Sequence, residues 1–210
     1  MPRTLSEEEI EGFRCRLIAA AEKLFAEEGP SAVSMRQLAA ELGVSPMTPY
    51  RYFKDKDDIL AAARASGFDR FAEALETAFA SVTDGREGSR AVGEAYLKFA
   101  FENPAAYRLM FDLNQPTEDE YPDLVRAGAR ARVQMSAYMQ CLLDAGYLVG
   151  EPEIIAHVFW SAIHGLVVLK LAGKISPNIS LDLLWNELRR ALHAGFSPAA
   201  AAAARDDRAA

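Results

Sequence analysis

Arg51 and Lys56, set beside Thr48, Tyr50 and Tyr52, bring two cations and three hydroxyls into one short segment. Such groups donate hydrogen bonds to phosphate oxygens, and an arginine also reaches the O6 and N7 acceptors of guanine. Met47 and the Thr48 methyl group can touch a thymine methyl. This is the chemistry of recognition, and it needs a short helix held rigidly by a second one. The residues just upstream supply that frame. Ser34 caps a short helix with Gln37 at the reciprocal position, Gly43 allows a sharp turn, and Ser45 caps the next helix with Pro46 in its first turn. Leu38, Leu42 and Val44 are placed to pack the two helices together. Pro46, Met47, Thr48, Arg51 and Tyr52 are left outward, with Tyr50 near the rim. The pattern is that of a helix-turn-helix. A compact three-helix pack in which Tyr50, Tyr52 and Phe53 are simply core fits the same residues.

Charge sets a limit on this reading. The 210-residue chain carries a net charge of −7, against wholesale nucleic-acid binding. Locally the balance reverses: from Val33 to Lys56, Arg36, Arg51, Lys54 and Lys56 outnumber Glu41 and Asp55. The acidic excess falls on the preceding helix, in Glu7, Glu8, Glu9, Glu11, Glu22, Glu27 and Glu28. Half of the residues are hydrophobic and a quarter charged, an ordinary globular composition. Cys15 and Cys141, far apart in sequence, read as unpaired and reduced. The N-terminal residues show no apolar signal core, and Ile154–Leu169, interrupted by His157, Ser161 and His164, reads as too short and polar to span a membrane. The expected location is the cytoplasm, with no membrane partner.

The elements that must hold the motif are helical throughout. Ser6 and Glu9 form a capping-box spacing before a helix with Phe13, Leu17, Ala21 and Phe25 on one stripe, and Gly29-Pro30 stops it. Asp55 caps a long helix through Ile59, Phe68 and Phe79. Thr83–Gly88 reads as a linker, Ser89–Glu102 as a helix, Asn103-Pro104 as the start of a short one, and Asn114–Pro122 as a polar loop. Further helices run to Ala145, from Pro152 to Leu171, and from Ser180 to His193. The expected fold is all-α, with about nine helices. A three-helix head over 1–54 is joined by the long helix to a second helical domain over 55–196, and alanine-rich residues 197–210 read as a disordered tail.

The Leu24-Phe25 pair, Gly29, Ser34, Leu38-Ala39, Gly43-Val44-Ser45, Tyr50, Tyr52-Phe53, Lys56 and Leu60 stand in an order and spacing that resembles the TetR family of one-component transcriptional regulators. The resemblance implies that Tyr50, Tyr52 and Lys56 contact phosphates. It implies that Pro46, Met47, Thr48 and Arg51 read or flank bases, with Ser45 opening the recognition helix. Ser34 and Arg36 would touch the DNA backbone at the start of the second helix. Pro49 departs from the family's usual leucine. It forfeits the hydrogen bond to the Ser45 carbonyl, so a distorted recognition helix is expected.

Asn103–Phe111 and Trp160–Gly165 resemble the WHG subclass of C-terminal domains, which implies dimerisation and an effector pocket. The helix from Pro152 is apolar almost all round and must be buried on more than one side. Ile155, Phe159, Ile163 and Val167, with Leu181, Leu184, Trp185 and Leu188 of the last helix, are the expected homodimer interface; an intrachain core is the alternative. Two heads related by two-fold symmetry would read a pseudo-palindromic stretch of double-stranded DNA. By elimination, Phe101, Tyr107, Met110, Phe111, Met135, Tyr138, Met139, Phe159, Trp160 and His164 are candidates for a pocket taking a lipophilic or aromatic molecule, though such stripes also suit a plain core.

Catalysis and metal binding find little support. His157 and His164 lie about 10.5 Å apart along a helix, too far to share one ion, and no Cys-x-x-Cys or His-x-x-x-His pairing occurs. Ser161 and His164 share a face without an orienting acid. No metal, cofactor or catalytic residue is expected. The expected function is a homodimeric repressor released from its operator by an effector. The alternative is a helical dimerisation or protein-interaction module that does not bind DNA.

Overall fold

The computed structural model describes residues 6–112 and 118–209, with the backbone alone for 204–209. Every regular element among them is helical. Helix α1 is Glu7–Glu28, α2 Met35–Glu41, α3 Lys56–Ala80, α4 Gly85–Glu102, α5 Pro104–Met110, α6 Pro122–Asp144, α7 Pro152–Leu171, α8 Leu181–Gly195 and α9 Pro198–Ala209. Short 3₁₀ turns occupy Pro49–Arg51 and Glu118–Glu120.

Local chemistry begins and ends the first helices. Ser6 Oγ accepts from the Glu9 N–H at 3.1 Å while the Glu9 carboxylate accepts from the Ser6 N–H at 2.9 Å. Ser34 and Gln37 repeat this box before α2, at 3.3 and 2.8 Å. Gly43, at φ 64°, ends α2, with Val44 N–H donating to the Ala39 carbonyl and Gly43 N–H to that of Ala40. Asp55 Oδ1 accepts from the Asp58 N–H at 2.9 Å and so caps α3.

The chain divides into two compact units. The first runs up to Phe71 and takes in Asn103–Ala131. The reason is apolar. Ile59 and Leu60 of α3 and Leu109 of α5 enter the same core as Phe13, Leu17 and Leu38. Gly67 also leaves room for Met110, whose Cγ would lie 3.0 Å from any Cβ there. The second unit comprises Ala72–Glu102 and the chain from Arg132 on. Tyr96, Met139, Ile155 and Val167 are fully or almost fully buried in it.

Two expectations about extent are corrected. The linker at 83–88 is shorter than expected, because Asp84 Oδ1 accepts from the N–H groups of Arg86 and Glu87 and starts α4 at Gly85. The tail forms α9: the Ser197 side chain accepts from the Ala200 N–H at 3.3 Å, and the alanine run that follows has the highest helix propensity. Residues 114–117 of the expected polar loop lie outside the described residues, as do residues 113 and 210. Among the described residues the count of nine α-helices agrees by exchange, α9 replacing the expected recognition helix.

Candidate nucleic-acid interface and effector cavity

The segment after Gly43 is not an α-helix. Ser45 starts it as expected, its hydroxyl accepting from the Met47 N–H at 3.4 Å, but its carbonyl bonds to the Thr48 N–H at 2.8 Å. The next bonds also span three residues, Arg51 N–H to the Thr48 carbonyl at 3.1 Å and Tyr52 N–H to that of Pro49 at 3.0 Å. Pro49 has no N–H to offer the Ser45 carbonyl, so the chain tightens to 3₁₀ geometry at Pro49–Arg51. Pro49 itself is buried.

The residues expected to meet DNA differ in exposure. Ser34, Arg36, Ser45, Pro46, Met47, Tyr50 and Arg51 are exposed, with Met47 at 67 % and Tyr50 at 49 %. An exposed methionine and tyrosine beside an arginine form a surface that the core does not need. Thr48, Tyr52 and Lys56 are half-buried. Tyr52 packs on Phe13, ring centroids 4.4 Å apart, and so has a structural role alongside any phosphate contact. The Lys56 ammonium donates to the Pro30 carbonyl at 2.5 Å, leaving two of its three protons for other acceptors.

One positioning residue had no sequence signal. Arg14 on α1 donates to the Tyr52 carbonyl at 2.7 Å, and its guanidinium lies 4.3 Å from the centre of the Phe53 ring. Its charge on an amphipathic helix looks like any solvated arginine until the fold brings residue 52 beside it.

The residues proposed for a pocket separate into the two units. Tyr107, Met110 and Phe111 belong to the first, where Phe111 meets Phe68 edge-on at 5.6 Å and Tyr107 at 4.9 Å. Phe101, Met135, Tyr138, Met139, Phe159, Trp160 and His164 belong to the second. Within the second unit a cavity of about 20 Å³ brings together Met135, Tyr138 and Phe159 with Tyr96, Trp185 and Arg189. Trp160 is tied nearby, its Nε1–H donating to the Tyr96 hydroxyl at 3.2 Å. Burial lowers the pKa of His164 below its ordinary value, and burial pushes the Tyr138 phenol well up, so both stay neutral near pH 7.

Burial within the single chain divides the residues expected at a dimer interface. Ile155, Phe159, Ile163, Val167 and Trp185 face the interior of their own unit, and Leu181, Leu184 and Leu188 are half-buried. The exposed apolar stripe of α7 is the neighbouring one: Ile154, Val158, Val168 and Leu169. A helix apolar on all sides gives no phase to its periodicity, so sequence could not say which stripe the chain keeps for itself. By length and composition α7 is long and apolar enough to cross a membrane, contrary to expectation. Its inward face nevertheless forms part of the core of the second unit. Among the described residues no group of three or more metal-ligating side chains occurs.

Residues 17–63 match the bacterial regulatory proteins of the tetR family, and residues 89–192 match the tetracyclin repressor-like C-terminal domain. The chain belongs to the TetR family. As a TetR-family protein it is a transcriptional regulator with a DNA-binding head, not an enzyme. Among similar proteins is the HTH-type transcriptional activator FasR of Mycolicibacterium smegmatis, 29% identical over 118 residues. That match covers 56% of this chain and 54% of FasR, about half of the relative's length. A protein of unknown function from Rhodococcus sp. RHA1 shares the fold with a TM-score of 0.78 at 26% identity, over 94% of this chain and 99% of that one. A TetR family transcription regulator from Marinobacter aquaeolei VT8 gives 0.70 at 23% identity, over 87% and 96% of the two chains, and at that identity shows the fold alone.

Proposed function

We propose that this TetR-family regulator is a cytoplasmic homodimeric repressor whose two heads bind a pseudo-palindromic operator and whose second unit takes a small-molecule effector that releases it. The observation carrying the DNA-binding assignment is the exposed set Ser45, Pro46, Met47, Tyr50 and Arg51 on the helix-turn-helix, with Ser34 and Arg36 beside it. Arg51 is assigned to a base edge or phosphate, Tyr50 and Lys56 to phosphates, and Met47 with Thr48 to thymine methyl groups.

Dimerisation is assigned to the exposed stripe of α7, Ile154, Val158, Val168 and Leu169, with Leu183 of α8. Ile154, Val158, Ser161, Gly165 and Val168 follow one another at intervals of three or four residues, so apolar ends flank two small residues on one helix face, a spacing that suits packing on a copy of itself. An open groove of about 720 Å³ beside them, lined by Ile154, His157, Val158 and Leu192, would be filled by the second chain. The α3 helix contributes to both compact units and is the natural carrier of any coupling between effector and DNA. By linkage, effector and operator must then weaken each other's binding equally.

Footprinting on the promoter beside the protein's own gene, at several salt concentrations, tests the DNA assignment. Specific protection that fades with salt and is lost in Arg51→Ala supports it. No protection, with dimerisation intact, would favour the protein-interaction module instead, a reading that the net charge of −7 and the 3₁₀ turn would then explain. FasR is named an activator, so a reporter assay with and without the gene must show repression for the sign proposed here to stand.

A further inference from the structure

The cavity of the second unit is apolar on most of its wall and polar in one corner. Met135, Phe159 and Trp185 form the apolar wall, while Ser89, Tyr138 and Arg189 bring hydroxyls and a guanidinium. Arg189 is the anomaly. Its Nε is buried without a hydrogen-bond partner, and no carboxylate among the described residues pairs with the side chain. The residue as a whole is half-buried, but an enclosed N–H without an acceptor is uncommon in native proteins and calls for an explanation.

The surroundings point the same way. Ser89 is 5 % exposed, and its hydroxyl lies 3.4 Å from His193 Nε2. Burial lowers the His193 pKa, and so do Arg189 and Arg86, the two charges that act on it. This corner is therefore positive, in a chain whose net charge is −7. Tyr138, kept neutral by burial, remains a hydrogen-bond donor.

We propose that this cavity binds an organic monocarboxylate, its carboxylate accepting from Arg189 and Ser89 and its apolar body lying against Met135, Phe159 and Trp185. At about 20 Å³ the cavity admits such a body only when its wall gives way. Met135 is unbranched and adaptable. Trp185 lies against Gly93, where a Cβ would sit 2.3 Å from its Cζ2 and so exclude the indole. The acid displaces this ring from α4, and α8, which carries both Trp185 and Arg189, moves with it. The site deepens the effector reading above and depends on it only for the consequence at the operator.

The test titrates the full-length protein with octanoate and 3-phenylpropanoate, and with octanol, 3-phenylpropanol and inorganic phosphate as controls. Melting temperature, calorimetry and tryptophan fluorescence are the readouts. The expected result is stabilisation and a fluorescence change with the acids alone, weakened about tenfold or more in Arg189→Met and partly restored in Arg189→Lys. Fluorescence in Trp185→Phe should lose the change. Equal binding of acids and alcohols, equal binding of phosphate, or unweakened binding by Arg189→Met would each overturn the proposal. Should Arg189→Met not fold, Ser89→Ala carries the same test, with affinity unchanged as the refuting result. Operator footprinting separates the two readings. Operator protection together with no binding of the acids by calorimetry or melting temperature removes this site and leaves DNA binding. Arg189-dependent binding without loss of protection keeps the site and removes effector release.

Discussion

Helix α2 and the segment after it both start at a serine cap, and only the first becomes an α-helix. Ser34 is answered by Gln37, and the backbone beyond can make every bond a helix requires. Ser45 is answered by Pro49, which cannot donate to it, and the chain turns into 3₁₀ geometry. The contrast extends to the side chains. Leu38 and Ala39 of α2 are fully buried, whereas Met47 and Tyr50 stand in solvent. A cap therefore proposes a helix, and the fourth residue decides it. One half of the motif is built for stability, and the other is free to be built for contact.

Substitutions can break or sharpen that contrast. Leu38→Ala should cost about 2–5 kcal/mol of stability, seen as a lower denaturation midpoint, because it opens a cavity in a closed core. An equal loss from Met47→Ala would erase the distinction between the two halves. Arg51→Ala should leave the melting temperature unchanged and weaken specific operator binding by about 1–3 kcal/mol, measured by fluorescence anisotropy at fixed salt. A stability loss without an affinity loss would return Arg51 to a structural role. Ser34→Ala should destabilise by about 1 kcal/mol through the lost capping box, read by thermal unfolding. Ser45→Ala, which removes only the 3.4 Å bond to Met47, should cost no more than a few tenths of that order. If the two serines cost the same, the caps are equivalent and Pro49 is not what separates them.

The second unit adds a pH dependence. Burial and two arginines hold the His193 pKa below its ordinary 6.5, so the neutral form is favoured in the folded state. The stability this brings is present above pH 6.5 and is lost as pH falls below it towards the folded value. His164 contributes in the same direction. Chemical denaturation at pH 7.5 and 5.5 should show the loss, smaller in His193→Gln.

Much of the head was legible because its signals are local. A capping box lies within four residues, a glycine turn within three, and Pro49 acts on the residue four before it. The same holds for the apolar stripe Phe13, Leu17, Ala21 and Phe25 of α1. What lay outside local chemistry was missed or displaced. Leu109 enters the head's core from more than forty residues beyond α3's first turn, and nothing near it in sequence says so. Arg14 is recruited to the Tyr52 carbonyl across 38 positions. The pocket candidates were chosen by residue type, and type does not say which of the two units a side chain joins.

By itself the sequence determined that this chain is helical, where most helices begin and end, and that the residues around Arg51 could meet DNA, since capping, helical period and proline's missing donor act over a few residues. Tertiary structure alone decided which face of α7 is spent on the chain's own core and which is left exposed. It also decided that the Nε of a half-buried Arg189 is enclosed without an acceptor. Both are settled by packing between distant segments, and a helix apolar all round or an arginine on an amphipathic one reads the same in sequence whichever way it turns.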